Sequence, residues 1–94
     1  MAEVKIKLFA NLRERAGAAE LILSGHRVID VLELLVEKYP DLEELIFEKE
    51  KKPPELCGYV NVLVNGDNVR HLDCLDTVLS DADELAILPP VSGG

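Results

Sequence analysis

Apolar and polar residues alternate along this chain with two distinct periods, and the switches between them mark out its elements. Val4, Ile6 and Leu8 alternate with Lys5, Lys7 and Phe9, the two-residue period of a strand with one face in a core. Asn11 to Ala16 reads as a short helical turn stopped by Gly17, and Glu20-Leu21-Ile22-Leu23 as a second strand, antiparallel to the first. From Val28 the apolar positions fall three and four apart, at Val28, Val31, Leu32, Leu35 and Tyr39. Asp30, Glu33, Glu37 and Lys38 occupy the rest of the wheel, which predicts the main amphipathic helix. Pro40 disfavours helical angles at Tyr39. Asp41 is then expected to cap a second short helix by accepting from the amide near Glu44, with Leu42, Leu45 and Ile46 facing inward.

Glu48 to Glu55 has no apolar period and carries Pro53 and Pro54, so an exposed, mobile loop is expected over about residues 48–58. Its lysines Lys49, Lys51 and Lys52 read as a solvated charge run. Tyr59 to Val64 returns to strand chemistry, and Asn65-Gly66 signals a hairpin turn into Asp67-Asn68-Val69-Arg70. Asp76 to Leu79 offers another turn, and Glu84-Leu85-Ala86-Ile87-Leu88 is an apolar final strand that runs into Pro89-Pro90. Two strands, a crossing helix and further strands predict an α+β domain, a mixed sheet packed on one main helix with a right-handed connection. That layout is a β-grasp, ubiquitin-like roll over residues 1–88, with 89–94 as a free extended tail.

Composition narrows the function classes. At 94 residues the chain makes one domain with a modest core, too small for a deep cleft between two lobes, so a large active site would belong to a partner. The net charge of −8 argues against nucleic acid and against anionic membranes. It suits a basic protein surface, and it equally serves plain solubility. The first residues lack the apolar core of a signal peptide, and no apolar run is long enough to span a bilayer, so a cytoplasmic protein is expected. Cys57 and Cys74 form no C-x-x-C pair and read as ordinary thiols, a disulfide between them depending on their approach. His26 and His71 read as surface residues, and Asp81, Asp83 and Glu84 as solvated turn carboxylates, so neither a metal site nor a bound cofactor is expected.

The chemistry is concentrated in Pro89-Pro90-Val91-Ser92-Gly93-Gly94. The two prolines fix their φ angles and drive the tail out stiffly, with a reach of roughly 20 Å. Gly93 and Gly94 have no Cβ, so they can pass a channel too narrow for side chains and offer the last carbonyl to an enzyme from either face. A terminal carboxylate resists attack at neutral pH until one oxygen becomes a leaving group.

The chain resembles the MoaD/ThiS family of ubiquitin-like sulfur carriers, and within it most of all the molybdopterin synthase small subunits. The likeness covers nearly the whole chain. It rests on Lys7-Leu8-Phe9-Ala10-Asn11-Leu12-Arg13-Glu14 with Gly17, on Val64-Asn65-Gly66 with Arg70-His71-Leu72-Asp73, on Asp76-Thr77-Val78-Leu79, and on Asp81-Ala82-Asp83-Glu84 leading to the tail. Ala82 departs from the glycine that relatives commonly carry in the turn before the last strand. The resemblance implies that a ubiquitin-activating-like adenylating enzyme uses ATP on Gly94, and that a persulfide donor then makes a thiocarboxylate there. This sulfur would pass to a pterin precursor inside the molybdopterin synthase large subunit, so the chain is not catalytic alone. Pro89, Pro90, Val91, Ser92 and Gly93 would thread into the partner. Phe9 and Leu88 would be apolar docking anchors or else core residues, and Arg13, Arg15 and Arg70 either pair with partner carboxylates or merely keep the surface soluble. The alternative is a ubiquitin-like modifier that joins Gly94 to lysines by isopeptide bonds, or a sulfur donor for thiamine or transfer-RNA thiolation.

Overall fold

The computed structural model describes residues 2–50, 52, 54–57 and 60–89. Strand β1 (Ala2–Leu8) buries Val4, Ile6 and Leu8 and turns Lys5 and Lys7 to the opposite face, as the alternation predicts. Helix α1 (Ala10–Ala16) follows and ends where Gly17 takes the left-handed conformation (φ 74°), its amide donating to the Arg13 carbonyl at 2.9 Å. Strand β2 (Glu20–Gly25) returns antiparallel to β1, with Ile6 opposite Leu21.

Helix α2 (Val28–Lys38) buries Val28, Val31, Leu32 and Leu35, the stripe read from the sequence. At its start the Asp30 carboxylate accepts from the Arg27 amide at 2.9 Å, and the Arg27 guanidinium reaches Asp76 at 3.2 Å. The expected cap by Asp41 does not form. Pro40–Leu42 is a 3₁₀ turn that runs straight into α3 (Glu43–Ile46), and Leu42 before α3 is itself helical (φ −86°, ψ −16°). A capping side chain needs an extended residue at that point, and none exists. Leu42 and Ile46 are fully buried, while Leu45 is half-buried.

The segment after α3 is exposed at Glu48, Lys49, Glu50, Lys52, Pro54 and Glu55, but its base is closed. Phe47 pairs with Leu56, and the Glu48 amide donates to the Glu55 carbonyl at 2.8 Å. Strand β3 (Asn61–Val64) then turns at Asn65-Gly66, where both residues have positive φ (51° and 92°), the requirement of a tight hairpin turn. Its partner β4 is only Asp67–Asn68, shorter than the predicted 67–70 strand. The Asn68 side chain accepts from the Arg70 amide at 2.9 Å and starts a 3₁₀ turn at Val69–His71, which buries Val69 completely. A side chain that bonds its own backbone two residues on competes with the ladder.

Strand β5 (Glu84–Leu88) completes the sheet, parallel to β1 and antiparallel to β3, in the order β2-β1-β5-β3-β4. It lies in the middle of five strands. Helix α2 covers one face of this mixed sheet, the β-grasp, ubiquitin-like arrangement, and one apolar core runs from Val4 to Ile87.

Candidate functional site

The site is built where β5 ends. Leu85 and Ile87 point into the core and are fully buried, so Ala86 and Leu88 must take the open face of the sheet, where both are half-buried. Ile87 pairs with Leu8 on one side and with Val62 on the other, and Leu88 pairs with Asn61. Pro89 is half-buried and is the last described residue of this stretch. The expectations for Pro90, Val91, Ser92, Gly93 and Gly94 therefore lie outside the described residues.

Phe9 stands one residue beyond the Leu8–Ile87 pair, at the same end of the sheet as Leu88. It is 39% exposed and lies outside the buried core. Its extended backbone (φ −126°, ψ 154°) places its carbonyl to accept from the Leu12 amide at 3.1 Å, and Ala10 next to it takes a left-handed step (φ 50°) into α1. Phe9 and Leu88 thus leave apolar surface together at the end of the sheet where β5 stops.

The three arginines behave differently. Arg13 is exposed on α1. Arg15 pairs with Glu44 and donates to the Asp41 carbonyl at 3.3 Å, tying α1 to the following helical layer. Arg70 turns one guanidinium nitrogen back onto its own chain, donating to the carbonyls of Cys57 (2.8 Å) and Val60 (3.1 Å). Asn68 bonds the Asn61 side chain at 3.3 Å, so the short chain from Arg70 and Asn68 through Asn61 reaches Leu88.

On the open face, Lys7, Ala86 and Leu63 lie side by side across β1, β5 and β3. Lys7 Nζ meets Glu84 Oε1 at 2.9 Å. This hydrogen bond, with the attraction of the opposite charge, lifts the Lys7 ammonium above its ordinary value and holds the Glu84 carboxyl below its own. The sequence reading missed Asn61, Leu63 and Ala86 as neighbours of the exit. Alternation places Leu63 and Ala86 on the outer face, but only the strand order brings them together.

Other candidates resolve into structure. The Asp81 carboxylate accepts from the Glu3 amide at 3.0 Å, and Asp83 accepts from the Ser80 amide at 2.8 Å and from Asn65 Nδ2 at 2.9 Å. These carboxylates build the turn before β5, and no metal-ligating group of three stands among the described residues. Cys57 and Cys74 are both free thiols. The end of β5 is thus held between two neighbouring strands, with charged and apolar surface around it.

Comparison with known proteins agrees with that geometry. The family model described as "ThiS family" matches residues 6–94. The solution structure of small archaeal modifier protein 1 from Methanosarcina acetivorans is 62% identical, with a TM-score of 0.90, covering 100% of this chain and 98% of that one. Small archaeal modifier protein 3 of Haloferax volcanii is 38% identical over 98% of this chain and 99% of its own length. The molybdopterin synthase sulfur carrier subunit of Arabidopsis thaliana is 35% identical over 98% of this chain and 83% of its own.

Proposed function

Taking as premise that the chain belongs to the ThiS family of ThiS/MoaD-like, ubiquitin-like carriers, we propose that it acts as a ubiquitin-like protein modifier through Gly94. The observation that carries this reading is its likeness, over the whole chain, to archaeal proteins named as modifiers. The sequence alone puts sulfur delivery to a pterin first; these relatives move the weight to protein modification.

The chain is the carried group and not the catalyst. An activating partner transfers AMP from ATP to the Gly94 carboxylate, releasing pyrophosphate. A neutral lysine ε-amine of the target then attacks the acyl carbonyl, AMP leaves with the former carboxylate oxygen, and the amine loses a proton to solvent as the amide forms. Adenylation is needed because a carboxylate at neutral pH repels nucleophiles and has no good leaving group. The role of this chain is to present the tail: β5 holds its root, and Phe9 and Leu88 give the activating partner apolar purchase beside it.

A second reading keeps the same activated glycine but gives it to sulfur. A persulfide sulfur would displace AMP, reduction of the resulting linkage by a thiol would leave the thiocarboxylate, and this would serve a molybdopterin synthase large subunit. The Pro89-Pro90-Val91-Ser92-Gly93-Gly94 run and the Arabidopsis relative favour it.

Intact-mass analysis of the protein from its native cell, with proteomics of lysine branches, tests both readings. Lysines of other proteins carrying a Gly94 remnant, lost when Gly94 is deleted, are expected. Oxygen replaced by sulfur at Gly94, without any branches, would overturn the modifier reading in favour of the carrier.

A further inference from the structure

One concavity lies away from the open face of the sheet. It holds about 640 Å³ between α2, α3 and the segment that follows α3. Its lining includes Val36, Phe47 and Pro54; the first two are half-buried side chains packed against the core. Around this apolar floor stand Glu33 and Glu37 on α2, Glu43 and Glu44 on α3, and Glu48 and Glu50 beyond it. Among the described residues, Lys49 and Lys52 are the ammoniums of the lining, and both belong to the loop side. Glu44 is shared with Arg15. The helix side of the groove, at Glu33 and Glu37, is exposed and acidic.

We propose that this groove is a second docking surface, and that it receives a segment of a partner protein in which lysine or arginine side chains flank an aliphatic or aromatic anchor. Charge complementarity selects the occupant. Carboxylates outnumber ammoniums in the described lining, and they hold the α2 side of it alone, so the concave site carries a net negative field that favours cationic side chains and disfavours nucleic acid or an acidic peptide. The apolar floor requires more than charge. Val36 and Phe47 offer an anchor residue a place to leave water, and buried anchors supply most of the energy of such contacts.

One ion pair links the groove rim to the helix that follows Phe9. Arg15 joins α1 to Glu44 on the groove rim, and α1 begins directly after Phe9, which flanks the exit. Recognition at this groove involves the folded domain and is the same whether Gly94 meets nitrogen or sulfur.

The test is an NMR titration of the full-length ¹⁵N-labelled chain with a synthetic peptide in which lysines and arginines surround a leucine pair. The expected result is a set of shifts centred on Val36, Glu37 and Phe47, with affinity weakened about tenfold or more by Glu33→Lys with Glu37→Lys. Both substitutions are on exposed helix positions, and an unchanged spectrum elsewhere establishes folding. Glu20→Lys with Asp67→Lys changes net charge equally on other exposed positions and is expected to bind almost as the parent does. Equal weakening by the two double variants would reduce the effect to net charge and overturn the proposal. So would shifts centred on the open face of the sheet, or undiminished binding of a peptide whose leucines are replaced by serine.

Discussion

The Arg70 guanidinium donates to the Cys57 carbonyl at 2.8 Å, so a side chain from the turn after β4 closes the approach to β3. The same nitrogen reaches the Val60 carbonyl at 3.1 Å. Through Asn61 this brace bears on Leu88, the last strand residue before the tail. Arg70→Ala is expected to cost about 1–2 kcal/mol, the scale of losing charge-assisted bonds at a partly exposed site. Amide hydrogen exchange at Asn61 and Leu88 should quicken while the β1–β2 pair is unaffected. Unchanged exchange there, together with weaker binding to an activating partner, would return Arg70 to the docking role that the sequence suggests.

Ala82 holds φ 71° in the turn before β5, and its amide donates to the Glu3 carbonyl at 3.0 Å. The turn keeps a glycine-like conformation although its residue is alanine. The left-handed conformation costs an L-residue about 1–2 kcal/mol, while glycine adds roughly 0.5–1 kcal/mol of unfolded-state entropy. Ala82→Gly should therefore stabilise the fold by about 0.5–1 kcal/mol in a denaturant melt. A destabilised variant would contradict this account.

Gly25 closes β2 with no room for a larger residue. A Cβ placed there would lie 2.7 Å from Val31 Cγ2 and 3.1 Å from Asp30 Cβ, at the point where α2 crosses the strand. Gly25→Ala should cost about 1–3 kcal/mol by overpacking, read as a lower denaturation midpoint with an unchanged slope.

The Lys7–Glu84 pair gives stability a defined pH dependence. Glu84 titrates lower in the folded chain than in the unfolded one, so its contribution is present above the ordinary carboxylate range and is lost as pH falls through the folded value. Lys7 titrates higher when folded, so its contribution is present below the ordinary lysine range and is lost as pH rises through the folded value. Glu84→Gln should flatten part of the acid limb of a stability–pH curve and bring the Lys7 titration, followed by NMR, back toward its ordinary position. An unshifted Lys7 titration in that variant would show that the pair does not persist in water.

Periodicity was enough to find β1, α2 and β5, because Val4, Val31 and Ile87 obey short-range rules that leave one face apolar. Asn65-Gly66 announced its turn for the same reason: only a few residue types accept two successive positive φ angles. The end of β4 was not legible in this way. Asn68 must choose between the ladder and its own backbone, and burying Val69 in the core tips that choice. Asp41 misled because a capping residue type is no guarantee of a capping backbone, which Leu42 denies it. The expected tail chemistry is read from Pro89 to Gly94 alone, whereas the sheet surface beside Leu88 cannot be read from the sequence. Leu63 and Ala86 are far apart in the chain, and their meeting is a property of strand order.

The central place of β5 sets how the domain bears force. Any force applied beyond Leu88 would pull along β5, and the load would enter the ladders to β1 and β3 together. Pulled lengthwise, these ladders are sheared with many hydrogen bonds resisting at once, whereas a strand on the rim could be peeled one bond at a time. A pull on Leu88 would therefore be borne by the whole sheet, and the body would stay folded under it.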